Sequence, residues 1–66
     1  MDREEAKTAI KEGKKLTHDY FMEGEFVMKD IEDGMVIFED GIRQVECAFW
    51  AFRSGEHWNE GWQIFN

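Results

Sequence analysis

Asp30-Ile31-Glu32-Asp33-Gly34-Met35-Val36-Ile37-Phe38-Glu39-Asp40-Gly41-Ile42 is the stretch that decides the fold. The tripeptide Glu-Asp-Gly occurs in it twice, at 32–34 and at 39–41. Asp-Gly is a hairpin signal, because it tolerates the positive φ that a type I′ turn demands. Between the two turns lies a short apolar run, 35–38, of the length and composition of a strand. Two turns bracketing one strand read as an antiparallel meander. Residues 25–31 form the strand before the first turn, with Phe26 and Met28 on one side. A brief further strand starts at Ile42.

The flanks fit around this meander. Residues 2–12 read as a helix: Asp2 caps it, Glu5 completes a capping box, and Ala6, Ala9 and Ile10 share one face. Lys7, Lys11 and Lys14 lie toward its C-terminal end, and Gly13 stops it. Residues 15–20 alternate as a strand, with Leu16, His18 and Tyr20 on one side, and Glu23-Gly24 turns the chain into 25–31. Residues 44–53 fit a helix through Val45, Ala48, Phe49 and Phe52, though a buried strand also fits the run; Ala48 and Ala51 favour helix. Residues 62–65 close the chain as a strand. The expected fold is α+β: an N-terminal helix packed on a small antiparallel sheet of three to five strands, with a second short helix. The aromatics of the last twenty residues would fill the space between.

Size and composition bound the possibilities. The 66 residues make one domain, 1–66. A chain of this length buries only about 60% of its unfolded surface. Six Phe, three Trp and one Tyr supply large anchors that help offset this. Self-association would help further, so a homodimer is in keeping with the composition. Cys47 is the single cysteine, which rules out an internal disulfide and fits a reducing cytoplasm. Its apolar surroundings read as those of a buried small hydrophobe. The longest apolar run, 47–52, is far short of a membrane span.

The net charge is −7, and it is uneven. Residues 1–15 hold five basic and four acidic groups, whereas residues 16–66 hold three basic and eleven acidic ones. Such a balance argues against an anionic membrane and against direct nucleic-acid binding, and permits docking on a basic groove.

Catalytic and cofactor signatures are missing. His18 and His57 fall in no metal-ligand spacing, Ser54 is the one serine, and both glycine turns fail the calcium-loop frame. Gly13-Lys14 lacks the rest of a phosphate-binding loop. The reading is a non-enzyme with no cofactor and no metal.

Three constellations remain. Nine carboxylates and two basic residues lie between Asp19 and Glu46. Asp30, Glu32, Asp33, Glu39, Asp40 and Glu46 are the candidate partner-binding acids; as plain structure they are solvated turn residues, and as function they imitate rows of phosphates. Tyr20 and Trp58 are the candidate interface anchors, a role these residue types favour. As plain structure they, with His18, Phe21, Trp50 and Trp62, fill a core with rings. Lys7, Lys11, Lys14 and Lys15 form the one basic patch. They either complement the helix dipole or hold a phosphate near Thr17 and His18.

A resemblance rests on Glu5-Ala6, Ile10-Lys11-Glu12-Gly13-Lys14-Lys15-Leu16-Thr17-His18, Tyr20-Phe21, Gly24-Glu25-Phe26 and Gly61-Trp62-Gln63-Ile64-Phe65. These segments resemble small phage and prophage accessory proteins of the anti-defence type, including anti-CRISPR proteins and the Thoeris anti-defence proteins that sequester signalling nucleotides in an oligomer. The sequestering group has a basic residue and Trp where this chain has His18, Asp19 and Tyr20-Phe21, and it carries an inserted segment that is absent here. The resemblance therefore implies an inhibitor of a bacterial defence complex, acting in the host-cell cytoplasm, whose acidic surface covers a basic groove of a host protein or ribonucleoprotein. The alternatives it leaves open are a nucleotide sponge, with a pocket from Tyr20, Phe21 and the Lys14-Lys15 region, or a structural or regulatory accessory domain.

Overall fold

The computed structural model describes residues 1–66. Helix α1 (Arg3–Lys11) starts where its cap predicts: Asp2 Oδ1 accepts the Glu5 N–H at 2.8 Å and Glu5 Oε1 accepts the Asp2 N–H at 2.9 Å. Both ends of the capping box are thus satisfied. Ala6, Ala9 and Ile10 are its buried face. Beyond the helix Gly13 takes φ +86°, as expected of its stop signal.

Strands β1 (Leu16–His18), β2 (Val27–Lys29), β3 (Val36–Phe38), β4 (Arg43–Gln44) and β5 (Trp62–Ile64) form one sheet in the order β4-β3-β2-β1-β5. Every neighbouring pair is antiparallel. The meander accounts for four strands. The fifth returns after helix α2 (Glu46–Ala51) and a 3-10 turn at Glu56–Trp58, and pairs Trp62 with His18. The arrangement is α+β, with an N-terminal helix, a five-stranded antiparallel sheet and a second short helix.

The two Asp-Gly turns differ from the expected type I′ form, since no non-glycine residue has positive φ. Residues 31–34 make a four-residue loop, closed by Gly34 N–H to Asp30 O at 2.8 Å and Asp30 N–H to Met35 O at 2.8 Å. Residues 39–41 make a three-residue loop, closed by Phe38 N–H to Ile42 O at 2.8 Å. Only Gly34 and Gly41 enter the left-handed region, and aspartate side chains secure the rest. Asp30 Oδ1, Asp33 Oδ1 and Asp40 Oδ1 each accept the backbone N–H two residues on, from Glu32, Met35 and Ile42, at 2.8–3.0 Å. This is the local bond that makes aspartate a turn residue.

One face of the sheet is covered and holds the core: Leu16, Val27, Val36 and Trp62 are fully buried against Ala6, Ile10 and Phe49. Strand alternation places Val27 inward, so Phe26 and Met28 share the opposite, outer side. Helix α2 turns a different face inward from the expected one. Phe49 and Trp50 are buried, whereas Val45 and Phe52 are 55% and 75% exposed. The buried stripe runs from Glu46 through Phe49 and Trp50 to Arg53. Arg53 sits with its guanidinium carbon 4.0 Å from the Phe49 ring centroid. Cys47 lies on the solvent side of that stripe and is exposed, correcting its reading as a buried residue. Tyr20 also lies outside its expected strand: β1 ends at His18, and Tyr20 stands in the following turn, 67% exposed. No helix is long and apolar enough to cross a membrane.

Candidate binding surface

The register separates the loops into two groups at opposite ends of the sheet. At one end lie the exits of β1 and β3 and the entries to β2 and β5. Short backbone contacts tie these segments together. Asp19 N–H donates to Gly61 O at 3.2 Å, Glu39 N–H to Phe26 O at 3.1 Å, and Thr17 Oγ1 to Glu25 O at 2.9 Å. The 3-10 turn joins them, with the His57 ring centroid 5.1 Å from that of Tyr20.

Seven carboxylates leave the chain at this end: Asp19, Glu23, Glu25, Glu39, Asp40, Glu56 and Glu60. None takes part in an ion pair. The cations nearest to them form no ion pair with them, although the Glu25 charge acts on Arg53. Arg3 Nη1 donates to Arg53 O at 3.0 Å. The Arg53 guanidinium is drawn into the rings of Phe49, Trp58, Phe38 and Phe21, and desolvation there holds its pKa below the usual arginine value.

An aromatic cluster forms the platform of this acidic end. His18, only 4% exposed, is its hub. Its ring centroid lies 4.4 Å from Trp58, 4.7 Å from Trp62, 5.5 Å from Tyr20 and 6.1 Å from Phe21. Both ring nitrogens are engaged: Nδ1 accepts the Tyr20 N–H at 3.0 Å, which leaves Nε2–H to donate to Glu60 O at 2.6 Å. Tyr20 is the exposed member, and Trp58 is half-buried beneath it.

The candidate acids divide between the two ends. Glu39 and Asp40 belong to the acidic end with Tyr20 and Trp58. Asp30, Glu32 and Asp33 lie at the other end of β3 and meet cations. Arg43 Nη1 bridges Asp30 Oδ2 at 2.6 Å and Asp33 Oδ2 at 2.8 Å. The hydrogen bond from Arg43 is the largest influence holding the Asp30 carboxyl below its usual value, and Asp30 in turn raises Arg43. Glu46 pairs with Lys29 at 3.1 Å and accepts Trp50 Nε1–H at 3.3 Å. Of the four candidate acids away from that end, Asp30, Glu32, Asp33 and Glu46, only Glu32 is exposed and free of an ion pair. Asp19, Glu23, Glu25, Glu56 and Glu60 were not singled out by sequence reasoning. The signal was there in the meander itself, since alternate connections of an up-and-down sheet fall at the same end.

Lys11 ends α1, and Lys14 and Lys15 lie just past it, at the end of β1 away from Tyr20 and Phe21. Strand β1 separates them, so Lys15 and Tyr20 are about 15 Å apart along the chain. A single copy therefore does not assemble the pocket expected for a nucleotide sponge. A shallow groove of about 400 Å³ runs between α1 and α2, lined by Lys7, Lys11, Glu46, Cys47 and Trp50. No group of His, Cys, Asp and Glu side chains is placed to hold a metal ion. Comparison with protein-family models, with curated proteins and with solved structures finds no match.

Proposed function

We propose that this chain is a non-enzymatic inhibitor that occupies the basic nucleic-acid-binding groove of a host complex, in the manner the anti-CRISPR resemblance implies. One observation carries the reading: seven carboxylates without ion-pair partners leave the chain at one end of the sheet, the end that also carries the exposed Tyr20 ring. Loops from β1, β2 and β3 emerge about 4.8 Å from one another, which arrays negative charge at strand spacing. Such a surface speeds encounter with a Lys/Arg-rich groove, and Tyr20 and Trp58 supply the contact that slows dissociation.

The test is capture from a bacterial lysate with three baits: the native chain, a variant with Glu23, Glu25, Glu39 and Asp40 changed to Lys, and a control with Asp30, Glu32 and Asp33 changed to Lys. The native chain and the control capture the same nucleic-acid-handling complex, and added duplex or guide RNA displaces it. The four-site variant captures none of it. A captured protein that ignores both the four reversals and the added nucleic acid rejects this function.

A further inference from the structure

The solvent side of α2 is apolar, and it borders the groove that Lys7 and Lys11 line from α1. We infer that this surface docks an acidic peptide segment of a partner, which lays an apolar side chain in the groove and sets its carboxylates against the two lysines.

The apolar half of the site comes from a helix that is hydrophobic on every side. Within 45–52 the one charged residue, Glu46, is held by Lys29 Nζ at 3.1 Å and by Trp50 Nε1–H at 3.3 Å. Phe49 and Trp50 go to the core. What is left, Val45, Cys47, Ala48, Ala51 and Phe52, is the outer side; none of these carries a charge, and all but the half-buried Ala48 are exposed. A helix that is apolar all round is ordinarily enclosed, and a patch of this kind beside polar groups marks an interaction site. Cys47 belongs both to this patch and to the groove of about 400 Å³, so the two are continuous. The groove has room for a large apolar side chain beside Trp50. It opens toward the end of the sheet opposite the acidic loops, because its Glu46 meets Lys29, the last residue of β2.

Charge selects the occupant. Lys11 is the one lysine with neither a carboxylate nor a ring against it. Lys7, one helical turn before it, leans over the Trp50 ring at 5.7 Å and pairs only with the largely exposed Glu4, at 3.3 Å. An exposed pair of this kind contributes about 0–1 kcal/mol, so an incoming carboxylate displaces Glu4 readily. On a molecule of net charge −7 the loops at the far end of the sheet repel an acidic chain, whereas this groove offers it two ammonium groups. A free anion would satisfy the lysines and leave Cys47, Ala51 and Phe52 in water. A basic apolar segment would cover α2 and be repelled by the lysines. An acidic segment with an apolar anchor meets both requirements. Because the groove and the acidic loops lie at opposite ends, this inference does not depend on the function proposed above.

Nuclear magnetic resonance titration of the full chain with a short acetylated peptide of Glu, Asp, Leu and Phe tests the proposal. The Trp50 indole and Cys47 amide signals are expected to shift and saturate, alkylation of Cys47 slows in the presence of the peptide, and added salt weakens binding. Lys11→Gln, at an exposed position without partners, weakens binding about threefold, within the reach of one exposed ion pair. Ala51→Asp, which sets a carboxylate on the outer side of α2, weakens it by at least as much. Ile31→Ser, at an exposed apolar residue of the 31–34 loop, leaves the affinity unchanged. The same peptide with Lys in place of its acids does not bind. An acidic peptide that produces no saturable shift at Trp50 and Cys47 overturns the proposal. So does a basic counterpart that binds equally well, or a Lys11→Gln variant that keeps native affinity. Inorganic phosphate that alone reproduces the shifts and protects Cys47 would reduce the groove to an adventitious anion site and overturns it too.

Discussion

His18 holds Tyr20 in place through the backbone: the buried Nδ1 accepts the Tyr20 N–H at 3.0 Å, and the two rings stack at 5.5 Å. With Nε2 donating to Glu60 O, one imidazole ties the exit of β1 to the entry of β5. Replacing it by Ala removes both bonds and empties a space among four aromatic rings. The expected cost is about 2–4 kcal/mol. Urea unfolding monitored by tryptophan fluorescence measures it. Hydrogen exchange at the Tyr20 amide accelerates by more than the global loss, because the turn it secures opens on its own.

Gly61 illustrates how tightly that same corner is built. It has φ +93°, and a Cβ placed on it would lie 2.9 Å from Asp19 Oδ2 and 3.1 Å from His18 Nε2. Gly24 has a similar φ of +82° with nothing within 4 Å of the corresponding position. Gly24→Ala therefore carries backbone strain alone, about 1 kcal/mol, while Gly61→Ala adds a steric clash and costs about 2–3 kcal/mol. Parallel thermal melts of the two variants separate the contributions, and equal losses would mean that the corner yields freely.

The meander was legible because its signals are local. Asp33-Gly34 and Asp40-Gly41 specify turns through aspartate bonds and glycine conformations that need no partner, and Asp2 with Glu5 specifies the start of α1 in the same way. The face buried by α2 was not legible. Residues 45–53 are apolar nearly all round, so periodicity alone cannot choose between Val45–Phe52 and Phe49–Trp50; the choice is made by Phe38 and Trp62, which receive Phe49 and Trp50. The acidic surface was half legible. Counting carboxylates finds them, but only strand register reveals that Glu39 and Asp40 join Asp19, Glu23 and Glu25, whereas Asp30 and Asp33 join Arg43.

Cys47 provides a direct check on the orientation of α2. Its thiol is exposed beside Lys7 and Lys11 in the α1–α2 groove. A disulfide reagent is expected to label it to completion in the native protein, at a rate close to that of the unfolded chain. Protection released only by denaturant would place Cys47 in the core and turn the helix about its axis.

The Arg43 bridge predicts how the far end of the molecule responds to acid. The hydrogen bond from Arg43 lowers the Asp30 carboxyl from its ordinary value of 3.8. A carboxylate whose folded pKa is depressed contributes stability that is present above the ordinary value and is lost as pH falls through the folded one. The window thus lies below pH 3.8 for Asp30. Arg43→Met removes the donor to Asp30 and Asp33 together while keeping an apolar stem beside Ile37. Carbon-detected titration of the side-chain carboxyls should then show the Asp30 midpoint moving upward, toward 3.8. The 39–41 loop lies at the opposite end of β3, and its backbone amide signals should be unchanged in the variant. An Asp30 midpoint that stays put in the variant would show that the turn amide of Glu32, not the guanidinium, holds the charge in place.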